Sequence, residues 1–285
     1  MKKTIIPLLI ATQFFKVFSF DWPQNEIMSD SFFSYFAQKR GGTISSSLVF
    51  SESETVKAAD DGKIIVFITE HDEGDIFDSP LGNAIIISHK EKLETVYANL
   101  DSQNFPALSD EKEVSKGTPL GFTSNSGWQK GEACLEFQVI DTENENYVNP
   151  RILMPRIGKE LPLTIKNVRA VNKKGETFYL DNQKKLASGV YLLYRDRQDV
   201  AMPYKTTITI NGAASENLSY DVLSEKDGHL FIAGKRNYAV ETVYPDDESQ
   251  LLGEITLSKG KNTVTSIISD ILGKKTQITY TIEAR

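Results

Sequence analysis

The sequence predicts an all-β chain of two domains, and three observations support this: its length, its composition and its turn-rich strand pattern. The 285 residues exceed the ~100–200 that are typical of one domain. Hydrophobic residues make up 40% and charged residues 25%, which is close to the globular average and excludes disordered, collagen-like and polytopic membrane chains. Short β-branched runs alternate with clusters of Gly, Ser, Asn and Asp, as expected of antiparallel sheets.

Charge and cysteine content exclude further classes of function. The net charge is −7, and because binding to phosphates needs a basic surface, we expect no nucleic-acid partner. Cys134 is the single cysteine, so an internal disulfide framework and a Cys-based zinc ribbon are both excluded. We interpret Cys134 as a small buried residue of a core strand, since free cysteine behaves as a small hydrophobe.

Residues 1–19 are typical of a secretory signal peptide. Lys2 and Lys3 precede an apolar run over 4–15, and small or modest side chains follow at 17–19. The run is shorter than the ~20 residues that a membrane-spanning helix needs. A helix buried in the fold is the alternative. We expect secretion, with no transmembrane segment after the signal is removed.

The first domain is predicted over residues 20–154, beginning with one short helix within 25–40. Ser29 or Asp30 could cap this helix, and three aromatic residues recur in it at helical spacing: Phe32, Phe33 and Phe36. After two glycines the pattern changes to β-branched runs. These predict strands at 63–69, 83–89, 95–100 and 135–140.

A proline-rich linker over 150–162 precedes the second domain, which we predict over residues 155–285. Strands are predicted at 164–171, 189–194, 206–210, 229–232, 240–243, 262–269 and 276–282. Residues 258–262 and 272–275 have the composition of hairpin turns. Short strands with regular turns of this kind predict an immunoglobulin-like β-sandwich.

Four local patterns follow one another in the first domain. They are V-K-A-A-D-D-G at 56–62, G-N-A-I-I-I-S-H at 82–89 with T-V-Y-A-N-L at 95–100, V-S-K-G-T-P-L-G at 114–121, and C-L-E-F-Q-V at 134–139 with a terminal N-P at 149–150. In this order they resemble the lysostaphin-type (LytM) zinc endopeptidases, which cut peptidoglycan cross-bridges. The resemblance implies a curved antiparallel sheet of the duplicated hybrid motif type. Residues 36–40 also resemble the F-G-x-x-R that precedes the family's first metal motif.

The zinc ligands implied by the resemblance are missing. The family's H-x-x-x-D aligns with Ser45 and Val49, or in an alternative register with Thr43 and Ser47, and the second His of its H-x-H aligns with Glu136. Only Glu136 is a potential ligand, and a zinc hydrolase needs three. We therefore expect no zinc, no other cofactor and no catalytic residue.

The two helper histidines of the family are also replaced, by Asn99 and Cys134. What could remain is a vestigial groove, which we define by Asn99, Cys134, Glu136 and Trp128, with the indole at its rim. The two remaining histidines of this domain receive other interpretations: His89 as a structural histidine, and His71 as part of a solvated acidic loop.

Inactive members of the resembled family can activate separate cell-wall amidases. The chain is thus predicted to be a non-catalytic protein of the periplasm or cell envelope, whose partners are peptidoglycan, an amidase or another envelope protein. Two alternatives remain open. One is a peptidoglycan endopeptidase with a displaced metal site, and the other is a structural envelope protein whose two β-domains only contact other proteins.

Overall fold

The computed structural model describes residues 20–69, 71, 77–129 and 134–285. The predicted signal peptide, residues 1–19, lies outside the described residues. The regular secondary structure of the described part is almost entirely β-strand, which confirms the all-β prediction. None of the helices in these ranges has the length and apolar character that crossing a bilayer requires.

The N-terminal half holds twelve strands, one α-helix and two short 3-10 helices, Lys90–Lys92 and Pro150–Ile152, within the described ranges. The strands and the α-helix are β1 (Phe32–Ser34), β2 (Lys39–Arg40), β3 (Thr43–Ile44), β4 (Ser47–Phe50), β5 (Thr55–Lys57), β6 (Gly62–Ile68), β7 (Asn83–Ser88), β8 (Leu93–Leu100), α1 (Phe105–Glu111), β9 (Glu113–Val114), β10 (Pro119–Phe122), β11 (Glu136–Asp141) and β12 (Asn146–Val148). The main antiparallel sheet runs β12-β11-β8-β7-β6-β9, with β4 and then β1 added beside the start of β11. Two small pairs, β2–β3 and β5–β10, complete this half.

The two faces of β11 differ in chemistry because side chains alternate across a strand. Phe137 and Val139 are fully buried in the main hydrophobic core. Glu136 and Gln138 lie on the opposite face, where Ala98 and Val96 are their partners on β8. The sheet therefore carries polar side chains on one face of the strand that holds the predicted metal motif.

The prediction of a helix within 25–40 is wrong. Phe32 lies in β1 and pairs with Phe50 on β4, while Lys39 and Arg40 form β2. Phe32 is buried, but Phe33 is 53% exposed, which is the alternation of a strand rather than a helical stripe. Three neighbouring aromatic residues fit either period, and packing against β4 decides between them.

The C-terminal half holds eleven strands and one helical turn. They are β13 (Arg169–Asn172), β14 (Thr177–Tyr179), β15 (Lys185–Leu186), β16 (Gly189–Asp196), β17 (Lys205–Ile210), β18 (Ala213–Lys226), β19 (His229–Ala233), β20 (Asn237–Ala239), α2 (Val240–Val243), β21 (Ser249–Leu257), β22 (Gly260–Ser269) and β23 (Lys275–Ala284). One sheet runs β14-β13-β16-β21, and the other contains β15-β23-β22-β17-β18. A separate apolar cluster packs in this half, whereas the immunoglobulin-like assignment and the domain boundaries stay predictions.

Two local predictions in this half are wrong. Residues 240–243 form the helical turn α2 rather than a strand, and the Tyr244 amide closes it on the Val240 carbonyl at 2.7 Å. Residues 258–262 do not close a hairpin, because β21 and β22 belong to different sheets. The Asn262 amide Nδ2 instead donates to the Ser258 carbonyl at 2.7 Å, and the chain crosses between the sheets there.

The long strand β18 joins the two halves. Its first part pairs with β17, and its last part pairs with β12, where Tyr147 lies opposite Leu223. The Asn149 side chain adds a hydrogen bond to the Tyr220 carbonyl at 3.0 Å. The main sheet therefore runs without a break from the N-terminal half into the C-terminal half.

Candidate functional site: a closed centre around Glu136

Glu136 is a buried carboxylate with donors on both oxygens. Arg40 donates from Nη1 to Oε1 at 2.5 Å and from Nη2 to Oε2 at 3.1 Å. Ser47 Oγ donates to Oε1 at 2.6 Å, and Gln129 Nε2 donates to Oε2 at 2.5 Å. We call these four residues, Arg40, Ser47, Gln129 and Glu136, the closed centre.

Three neighbouring elements position the donors. Val49 on β4 lies directly opposite Glu136 on β11. Ser47 is two residues before Val49, so its side chain lies on the same face of the sheet as Glu136. Arg40 ends β2 of the short hairpin with β3. Gln129 lies in the loop before β11. The centre thus joins a strand, a hairpin and a loop that are separate in sequence.

The ion pair determines the charge state of Glu136. Burial raises the pKa of this carboxyl group. The hydrogen bonds and charge of Arg40, together with the hydrogen bonds from Ser47 and Gln129, lower the pKa by more than burial raises it, so the pKa lies below the ordinary 4.5. Glu136 is therefore a carboxylate at neutral pH.

The other two predicted ligand positions are also buried. Ser45 is 3% exposed, and its hydroxyl group faces the Ser47 hydroxyl at 3.3 Å. Val49 is 3% exposed and offers only a hydrocarbon side chain. The structure brings Val49 and Ser47 beside Glu136, so both alignment registers place one residue next to it.

These residues do not fit zinc. A catalytic zinc site needs three nitrogen, sulfur or carboxylate ligands and an open position. Among the four described residues of the centre, Glu136 is the one such ligand, and a guanidinium group already bridges its two oxygens. Elsewhere in the described ranges, no group of three or more His, Cys, Asp and Glu side chains is placed to hold a metal ion.

Asn99, which replaces a helper histidine, is fully buried and internally bonded. Its Nδ2 donates to the Cys134 carbonyl at 2.7 Å, and its Oδ1 accepts from the Gly127 amide at 2.9 Å. Its φ of +67° lies in the left-handed region, which asparagine tolerates better than most residues. Asn99 and the buried Cys134 therefore tie the loop before β11 to the end of β8.

Trp128 is the exposed member of the predicted groove, at 67%. Its amide donates to the Pro80 carbonyl at 3.0 Å, and Ser126 Oγ accepts from the Asn83 amide at 3.0 Å. Gly82 lies against the same loop, and a Cβ there would come within 2.3 Å of the Gly127 nitrogen. The indole thus projects to solvent from a loop whose backbone is anchored.

The two histidines of the first domain have local partners. His89 Nδ1 donates to the Asp61 carbonyl at 2.8 Å, so Nε2 accepts from Thr95 Oγ1 at 2.7 Å. Burial lowers the His89 pKa despite this carbonyl, as expected of a structural histidine. His71 contacts Asp78 at 3.0 Å, and most of its acidic loop lies outside the described residues.

Arg40, Ser47 and Gln129 were not predicted as partners of Glu136. The sequence indicated only that Glu136, if buried, would need a positively charged partner, since a buried carboxylate needs a counter-ion. The sequence offers 32 lysines and arginines, and pairing one of them with Glu136 requires knowing how the β2–β3 hairpin folds over β11.

Comparison with known proteins shows what parts of the chain are similar to. Residues 45–150 match the model of peptidase family M23. A second family model, which carries no description, matches residues 162–285. An uncharacterized protein of Treponema pallidum (strain Nichols) is 29% identical over 117 residues, which is 38% of this chain and 78% of that protein.

Two solved structures are similar at low identity. The catalytic domain of the prophage-encoded M23 protein EnpA of Enterococcus faecalis has 16% identity and a TM-score of 0.33, covering 47% of this chain and 95% of that chain. A zinc-containing peptidase of Vibrio cholerae has 18% identity and a TM-score of 0.32, covering 49% of this chain and 40% of that chain.

Replacing Gly82 with alanine should strongly destabilise the protein. The added Cβ would meet backbone atoms at 2.3 Å, and the φ of +65° is itself unfavourable for alanine, so we expect a loss on the order of 3 kcal/mol or more. Gly212→Ala is the matched control: its φ is +84° with open space around it, and we expect about 1–2 kcal/mol. Urea unfolding measures both, and equal losses would contradict the close packing of the loop.

The contribution of Glu136 to stability should disappear in acid. Because its folded pKa is lowered, the unfolded chain takes up the proton first, so the contribution is present above about pH 4.5 and is lost as the pH falls through the folded pKa. At pH 7 the free energy of unfolding of the wild type should exceed that of Glu136→Gln by about 1.5–3 kcal/mol. Urea unfolding should show this difference narrowing toward pH 3, and a difference that stays constant with pH would argue against the ion pair of Glu136.

Proposed function

We propose that the domain matched by the model of peptidase family M23, residues 45–150, binds cell-wall material or a cell-wall hydrolase without cutting peptide bonds. The closed centre carries the proposal. Glu136 is the one aligned ligand position with an ionisable side chain. Both of its carboxylate oxygens already accept hydrogen bonds, which come from Arg40, Ser47 and Gln129.

Hydrolysis by a zinc peptidase depends on a metal-bound water whose pKa the metal lowers. Ser45 and Val49 have no suitable ligand atoms, and binding zinc at Glu136 would require displacing the Arg40 guanidinium group. The remaining helper positions, Asn99 and Cys134, are part of the structural network beneath the loop. The domain therefore retains the scaffold of a peptidase with a different polar centre.

The proposed partners are peptidoglycan, a cell-wall amidase or another envelope protein. Trp128 supports a binding role, because an exposed indole on an anchored loop offers a large contact area at low entropic cost. The proposed location is the periplasm or cell envelope, after secretion across the inner membrane, and it is supported by the sequence of residues 1–19. An endopeptidase with a displaced metal site and a purely structural protein are the competing functions.

The chain without residues 1–19 should carry no stoichiometric zinc after incubation with the metal and gel filtration. It should also release no soluble fragments from purified peptidoglycan, because the three ligands are not present at the centre. Elemental analysis and fragment release measure these two properties. Stoichiometric zinc together with fragment release would establish the endopeptidase instead.

The same protein should sediment with purified peptidoglycan or raise the rate of a cell-wall amidase. Trp128→Ala should weaken whichever of the two is observed, peptidoglycan binding or amidase stimulation, roughly tenfold, as expected when an aromatic contact residue is truncated. Tyr179→Ala is the matched control, because Tyr179 is also an exposed aromatic residue, at 53%, but lies in the C-terminal half. Neither binding nor stimulation would favour the structural protein.

A further inference from the structure

The three residues before Arg40 are held by the C-terminal half of the chain. The contacts are Tyr244 OH to the Ala37 carbonyl at 2.8 Å, Gln38 Nε2 to the Asp199 carbonyl at 2.7 Å, and Lys39 Nζ to Asp247 Oδ1 at 2.6 Å. We call these contacts the hairpin anchors. They come from residues 160 or more positions away in sequence.

The Tyr244–Ala37 anchor is shielded from water on both sides, whereas the Gln38–Asp199 anchor is buried only on the Gln38 side. Ala37 is fully buried, Tyr244 is 2% exposed and Gln38 is 6% exposed. Water cannot readily replace hydrogen bonds at such positions, so loss of one leaves a buried polar group unsatisfied. Lys39–Asp247 is the exposed anchor, with the Asp247 side chain at 87%.

The hairpin also has a conformation that its own sequence does not favour. Ala37 has a φ of +65°, which is unfavourable for a residue with a Cβ and persists only when the surroundings impose it. Its amide donates to the Ser45 carbonyl at 2.7 Å across the hairpin. The surroundings that hold Ala37 include Tyr244.

Arg40, which follows the anchored residues 37–39, is part of the closed centre. We propose that residues 37–40 are a coupling element through which the C-terminal half holds Arg40 on Glu136. Loss of an anchor then displaces Arg40 from the buried Glu136 carboxylate, and loss of the Arg40–Glu136 pair loosens the anchors. This coupling goes beyond the proposed function and holds whichever partner the M23 domain binds.

The geometry makes the Glu136 carboxylate sensitive to the position of Arg40, and it leaves the partners of the anchors accessible from solvent. Glu136 is buried, so even a small displacement of the guanidinium group leaves its charge poorly compensated. Asp199 and Asp247 lie along an open cleft of about 650 Å³, together with Arg169 and Arg197. The part of the C-terminal half that holds the hairpin is therefore accessible from solvent.

Hydrogen exchange of the mature chain, read by mass spectrometry, tests the coupling. Tyr244→Phe removes one hydroxyl group, and we expect exchange to rise roughly fivefold in the peptide 36–50 and also in the peptide 134–141, which carries Glu136. A rise confined to 36–50, with wild-type exchange in 134–141, would overturn the proposal.

Tyr191→Phe is the matched control. Tyr191 OH also donates to a backbone carbonyl, that of Ala187, at 2.9 Å, but within the C-terminal half. It should change exchange in 36–50 and in 134–141 by less than about twofold, because independent sites act additively. An effect on 134–141 as large as that of Tyr244→Phe would show general loosening and would overturn the proposal.

The reverse measurement uses Arg40→Met, which removes the guanidinium group and keeps an apolar side chain. Coupling between two sites is reciprocal, so exchange should also rise in the peptide 238–250, which holds Tyr244 and Asp247. Unchanged exchange in that peptide, with increased exchange in 134–141, would show that the centre is independent of the anchors.

Discussion

The ion pair between Arg40 and Glu136 is the interaction on which the rest of the centre depends. A carboxylate that is 9% exposed is stable only with a counter-ion and hydrogen bonds on both oxygens. Arg40 supplies the charge and a bidentate contact, while Ser47 and Gln129 supply the remaining donors. The pair therefore draws a hairpin, a strand and a loop together at one point of the sheet.

Positions that the resembled enzymes use for chemistry have become structural here. Asn99 accepts the left-handed conformation and bonds both Gly127 and the Cys134 carbonyl. Its amide side chain offers a donor and an acceptor at once, which suits two backbone partners on opposite sides. Trp128 then projects from a loop that this network holds in place, so the exposed indole and Gln129 of the closed centre lie on the same anchored loop.

The continuous sheet brings the two halves into direct contact. Strand β18 pairs with β17 in the C-terminal half and with β12 in the N-terminal half, and Tyr244, which follows α2, contacts Ala37 just before the β2–β3 hairpin. Two domains joined only by a flexible linker would exert no such constraint. The hairpin anchors extend this contact to the residue that neutralises Glu136.

The sequence by itself predicted the all-β class, the strands β6, β7, β8 and β11 of the N-terminal half, about half of the strands of the C-terminal half, and the resemblance to the lysostaphin-type family. Each of these depends on local composition or on motifs in a fixed order. The tertiary structure alone decided that residues 32–34 and 39–40 form strands instead of a helix, that 240–243 form a helical turn and that Arg40 pairs with Glu136. These outcomes depend on packing between segments far apart in the chain, and local propensities are too weak to specify which distant partner a side chain meets.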